Sequence, residues 1–169
     1  LAGVRKEPMF RTLVKVFVVS GVVLGLTAFL GLFVMSSLAR VDGVAAAAIP
    51  NESYLSGTVE TADYADAYRV PMEFNPFGNI DDVADNAFEK GNGEIHRTDD
   101  EVVYEGVAPG LRYDIAYLLE RRTHPPTLTV CTSVRCETRT GRIYLTLVKP
   151  IHKMLLPYMV KRMSNAVVE

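Results

Sequence analysis

Residues 16–39 read VFVVSGVVLGLTAFLGLFVMSSLA, 24 positions without a charged side chain or a polar face. About 20 apolar residues suffice for a helix to cross the hydrocarbon core of a bilayer. Ser20, Thr27, Ser36 and Ser37 can hydrogen-bond back to their own helix, so the run predicts a transmembrane helix. A cleaved signal peptide is the competing reading, with small residues at Ser37 and Ala39. Such leaders have apolar cores of only about 7–15 residues, which favours an uncleaved anchor.

Beyond this run the pattern changes. Residues 40–60 are small, polar and without periodicity, and predict a linker that lifts the C-terminal part of the chain off the bilayer. Residues 63–70 (DYADAYRV) alternate: Tyr64, Tyr68 and Val70 share one face, Ala65, Ala67 and Arg69 the other. Two prolines and a glycine then break the strand. In NIDDVADNAFEKGNG (79–93), Ile80, Val83, Ala84, Ala87 and Phe88 follow helical spacing. Asn79 is placed to cap that helix, Asp81 and Asp82 occupy its first turn, and Gly91 and Gly93 end it.

Period two then takes over. Residues 101–108, 111–120 and 127–139 predict three strands joined by a Pro109-Gly110 turn and the RRTHPP loop, an antiparallel meander with one apolar face to cover. The natural cover is GRIYLTLVKPIHKMLLPYMVKR (141–162). Tyr144, Leu145, Leu147, Val148, Ile151, Leu155, Leu156, Met159 and Met163 fall on one broad face. Arg142, Lys149 and Lys153 lie opposite, with Pro150 and Pro157 on the polar side. Each proline costs a helix about 3 kcal/mol, so both are expected where water reaches the freed carbonyls, bowing the helix around a curved sheet. The fold class is therefore α+β: an N-terminal transmembrane helix, then a curved antiparallel sheet packed on a long C-terminal helix. The segments are 1–15, 16–39, the 40–60 linker and a domain over 61–165.

Charge adds orientation. Arg5, Lys6, Arg11 and Lys15 precede the apolar run against one acid, Glu7, so the N-terminus is expected in the cytoplasm and the domain outside it, on a single-pass anchor in the cell membrane. Residues 41–120 hold 17 acids and 4 bases, net −13. Residues 121–169 hold 2 acids and 9 bases, net +7. A basic helix aimed at lipid phosphates is one reading; a solvated face with cross-strand pairs is the other. An acidic domain outside the cytoplasm speaks against nucleic acid as a partner.

Candidate chemistry is sparse. Cys131 and Cys136 would lie about 16 Å apart on opposite faces of a strand, beyond disulfide reach. His96, His124 and His152 are scattered, and no metal, nucleophile or phosphate-loop motif occurs, so no metal, cofactor or catalytic residue is assigned. His152, at the edge of the apolar face, reads either as a buried hydrogen-bonded side chain or as an anchor for a ligand headgroup or a base, with Asp114 or Tyr113 as partner. Arg142 at the helix start opposes the dipole and suggests an anionic partner, a ligand or a side chain such as Glu137 or Glu120. Tyr113, Tyr117, Cys136 and Tyr144 would line the space between sheet and helix, as core if it is filled and as pocket walls if it is not.

The segment GRIYLTLVKPIH, with YADAYRV upstream and EVVYEG before the meander, resembles an uncharacterised bacterial family, DUF2867, over roughly residues 60–165. The most specific matches are Gly141, Arg142, Tyr144, Val148, Pro150 and His152. The resemblance implies a START-like, helix-grip arrangement, a curved sheet gripping a C-terminal helix around an apolar cavity. The family domain also occurs behind NAD(P)-binding domains, but no GxGxxG is present here. Three functions are open on these grounds: a membrane-anchored module binding an apolar or lipid-like ligand between sheet and helix, a scaffold with a filled core, and an enzyme built on His152 and Asp114. A void of several hundred Å³ separates the first two.

Overall fold

Alternation over residues 101–136 builds the centre of the molecule. The structure, a computed structural model, describes residues 41–72 and 78–165. In it β4 (Glu101–Ala108), β5 (Leu111–Glu120) and β6 (Thr127–Cys136) form the expected meander. β2 (Tyr64–Pro71) pairs with β6, placing Tyr64 opposite Val134, Asp66 opposite Thr132 and Val70 opposite Leu128. β1 (Ala45–Ala47) and β3 (Gly93–Arg97) close the edges of a curved antiparallel sheet of order β1-β2-β6-β5-β4-β3. The C-terminal helix α2 (Arg139–Asn165) crosses one face. The expected α+β arrangement of sheet and helix is therefore present. The apolar run at 16–39 lies outside the described residues, among which no helix is long and apolar enough to cross a membrane.

The inner face carries the larger core. Val70, Val102, Ile115, Tyr117, Leu128 and Val130 pack against Leu156, Val160 and Met163 of α2 and against Ile80 and Val83 of the short helix α1 (Ile80–Asp85). Asn79 caps α1 as expected, in a reciprocal box with Asp82. The helix stops earlier than its spacing predicts. Asn86 turns its side-chain amide onto the Asp82 carbonyl at 2.9 Å, competing with helical continuation. Ala87 and Phe88 still face the core, from a loop.

The back face is covered by the segment expected to be a linker. That expectation is corrected: residues 41–61 belong to the same compact unit as the sheet. β1 pairs with β2, and the 3-10 helix η1 (Tyr54–Thr61) inserts a fully buried Leu55 beside Ala67, Val103, Ala116 and Cys131. Ser53 caps η1 and donates to Glu101 at 2.6 Å, while Tyr54 N–H donates to the same carboxylate at 2.9 Å, so this buried acid is satisfied. Three alanines and a single anchoring leucine leave no periodic signal.

α2 is rotated from its expected setting. Its sheet-facing line runs through Gly141, Leu145, Lys149, His152, Leu156, Val160 and Met163, all buried or half-buried. Tyr144, Leu147, Ile151 and Leu155, expected inside, are exposed. The physical reason lies at the start of the helix. Thr138 caps it, accepting from Gly141 N–H at 3.0 Å, and Gly141 then meets the β4–β5 turn backbone to backbone. A Cβ on Gly141 would stand 2.0 Å from the Gly110 carbonyl oxygen, so only glycine fits, and this contact fixes which side of the helix faces inward. The helix continues through both prolines, with Pro150 exposed and Pro157 half-buried. Thr146 and Lys153, whose carbonyls the prolines leave free, are both exposed as expected.

Candidate functional site

Between the inner face and α2 lies a half-enclosed cavity of about 350 Å³. Its floor comes from β5 and β6 through Leu111, Tyr113, Ile115, Thr132 and Val134. Leu145, Val148, Lys149, His152 and Met159 of α2 form its roof. Phe88 and Glu89 close one end, and Tyr144, Ile151 and Leu155 stand at its mouth, where they are also exposed.

Two local features keep the space open. Gly106 stands opposite Tyr113 in the β4–β5 ladder, and a Cβ there would fall within 2.1 Å of the phenol ring. Without one, the Tyr113 ring lies down over the strand instead of rising into the cavity. The end wall is held by Tyr117, which is fully buried. Its hydroxyl donates to the Glu89 carbonyl at 3.0 Å and accepts from Glu89 N–H at 3.1 Å, and its ring meets Phe88 edge-on at 5.4 Å.

The walls are apolar except for one cluster. Tyr64 donates to Asp66 Oδ2. His152 Nε2 stands 3.5 Å from Asp66 Oδ1, and its ring meets that of Tyr64 edge-on at 5.9 Å. Lys149 holds its ammonium over the Tyr64 ring, 4.7 Å from the centroid. Burial, then the hydrogen bond to Asp66, pushes the Tyr64 phenol up, so it remains a donor. Asp66 Oδ1, His152 Nε2 and Thr132 Oγ1 are buried with no hydrogen-bond partner among the described residues. The first two of these atoms face each other. Thr132 and His152 line the cavity and Asp66 stands behind them, so the three residues mark its polar end.

The structure sorts the expected site residues into two groups. His152, Tyr113 and Tyr144 line the cavity. Tyr117 lies in the core and acts on the wall through Glu89. Cys136 packs with Leu145, Tyr64 and Leu111 outside the cavity, and its N–H donates to Asp63 at 2.7 Å. Arg142 is exposed and faces Asp63 at 3.8 Å, not Glu137, Glu120 or the cavity. The pairing of His152 with Asp114 is corrected. Asp114 is one residue out of step with Tyr113 and Ile115, so it faces the other side of the sheet, toward Arg135 at 3.9 Å. His152 instead faces Asp66, at 3.5 Å, and the ring of Tyr64. An acid between Tyr64 and Tyr68 on the face of an alternating strand was the available signal. Cys131 and Cys136 are free and belong to packing on opposite faces of β6. Among the described residues no cluster of metal-ligating side chains occurs. No family model, curated protein or solved structure matches the chain.

Proposed function

We propose that this domain binds an apolar or lipid-like ligand between its sheet and α2, with the polar end of the ligand lying beside His152 and Thr132. The observation that carries this reading is the cavity itself: about 350 Å³, apolar on most sides, with Thr132, Lys149 and His152 among its lining. That volume lies in the range of small-molecule sites. A scaffold with a filled core has no use for it. The helix-grip architecture of the DUF2867 resemblance fits the same reading. The apolar run at 16–39 supports a single-pass anchor in a bacterial cell membrane with the domain on the extracytoplasmic side. Under this reading the domain needs no cofactor, metal or nucleic acid.

Native mass spectrometry of residues 41–169, purified without detergent from two hosts, tests it. The expected result is an adduct with a lipid mass, lost in Val148→Trp, which fills the cavity. A bare protein mass from both hosts would overturn the proposal.

A further inference from the structure

We infer that the outward side of α2 is a membrane-contact face, laid on an anionic bilayer surface with the cavity mouth opening onto it. What passes through that mouth rests on the ligand reading above; the face itself does not.

Ile143, Tyr144, Leu147, Ile151, Leu155 and Tyr158 form an exposed apolar stripe on α2, with Leu147 at 66% and Tyr158 at 58% exposure. It extends along about 22 Å of helix. Helix α2 also carries six cations and no acid. Arg139, Lys161 and Arg162, near its ends, make no ion pair among the described residues. An apolar stripe on a purely basic helix is the composition of an interfacial helix, attracted by anionic lipid and held by buried side chains.

The length of chain before the domain names the occupant. The apolar run ends at Ala39, and Val44 is already packed against the core that contains Leu156, Val160 and Met163. Five residues reach at most about 17 Å, so an anchored domain cannot stand far from the bilayer. The same segment passes α2, where the Lys161 ammonium lies beside Gly43. The tether therefore enters at the C-terminal half of the helix whose other side is bare. Tyr144, Ile151 and Leu155 belong both to the stripe and to the cavity mouth, so a lipid leaving the bilayer along α2 meets the opening directly.

The test uses the full chain in vesicles of phosphatidylcholine and phosphatidylglycerol, in a Cys136→Ser background. An environment-sensitive fluorophore is placed at Leu147→Cys or, as a control on the back face, at Glu60→Cys. Lipids brominated in the acyl chain are expected to quench the Leu147 probe severalfold more than the Glu60 probe. Leu147→Asp with Tyr158→Asp, which leaves every cavity residue in place, is expected to slow lipid uptake without emptying a loaded cavity. Equal quenching at the two positions overturns the membrane face. So does a Leu147 signal that varies with protein concentration instead of lipid, which would reveal contact between two copies. A lipid-filled cavity with an unquenched Leu147 sinks the face and leaves the ligand reading. A quenched Leu147 over an empty cavity does the reverse.

Discussion

A single acid on the inner face organises the polar end of the cavity. Asp66 stands beside Thr132 only because β2 pairs with β6 in one register, and it meets His152 only because Gly141 sets the rotation of α2. Neither condition is local, which is why His152 was legible as a candidate while its partners were not. If the anchor reading holds, His152→Ala should reduce lipid retention in native mass spectra with little change in the denaturation midpoint. Elsewhere, burial governs titration. It pushes the Cys131 thiol up to about 12, with Glu101 adding to the effect, so that thiol should resist alkylation at neutral pH until the domain unfolds, as mass spectrometry after a timed pulse would show. Burial also raises the Asp114 carboxyl above its ordinary range, against the opposing pull of Arg135. The folded chain then keeps a proton that the unfolded chain has lost, so between the ordinary and the raised value stability falls as pH rises. Asp114→Asn should therefore unfold at higher denaturant than the parent at neutral pH, with the gap closing below the ordinary carboxylate range.

Among the elements, those with a strong period were readable and those without one were not. β4, β5 and β6 alternate cleanly, and α2 repeats at helical spacing. β3 is an edge strand exposed along most of its length, so nothing in GEIHR had to alternate. The rotation of α2 escaped the sequence because its apolar side spans about half the helix circumference, while the sheet covers only one strip of it. Gly141→Ala tests what selects that strip. In an open helix the change would gain about 1 kcal/mol. Here the new methyl meets backbone, and overpacking should prevail with a loss of about 1–3 kcal/mol, measured by urea denaturation. The end wall responds to a different change. Tyr117→Phe removes both hydrogen bonds to Glu89 and should cost about 1–2 kcal/mol. Hydrogen exchange should quicken locally at residues 86–92.

For the molecule as a whole, occupancy and stability are linked. A ligand held only by the folded state adds about 2.7 kcal/mol at a hundred times its dissociation constant. Extracting the domain with organic solvent and refolding it should therefore lower its melting temperature, and adding back the extract should restore it. No change on extraction would argue for an empty cavity.

The wrapping of residues 41–61 around the back of the sheet has a practical consequence. A version of this protein begun at residue 61, where the composition first turns strand-like, would leave the Leu55 socket bare and Glu101 stripped of both its donors. Such a fragment should clump where one begun at 41 stays dispersed. Shortening the preparation from the front thus strips the cover from the back of the sheet.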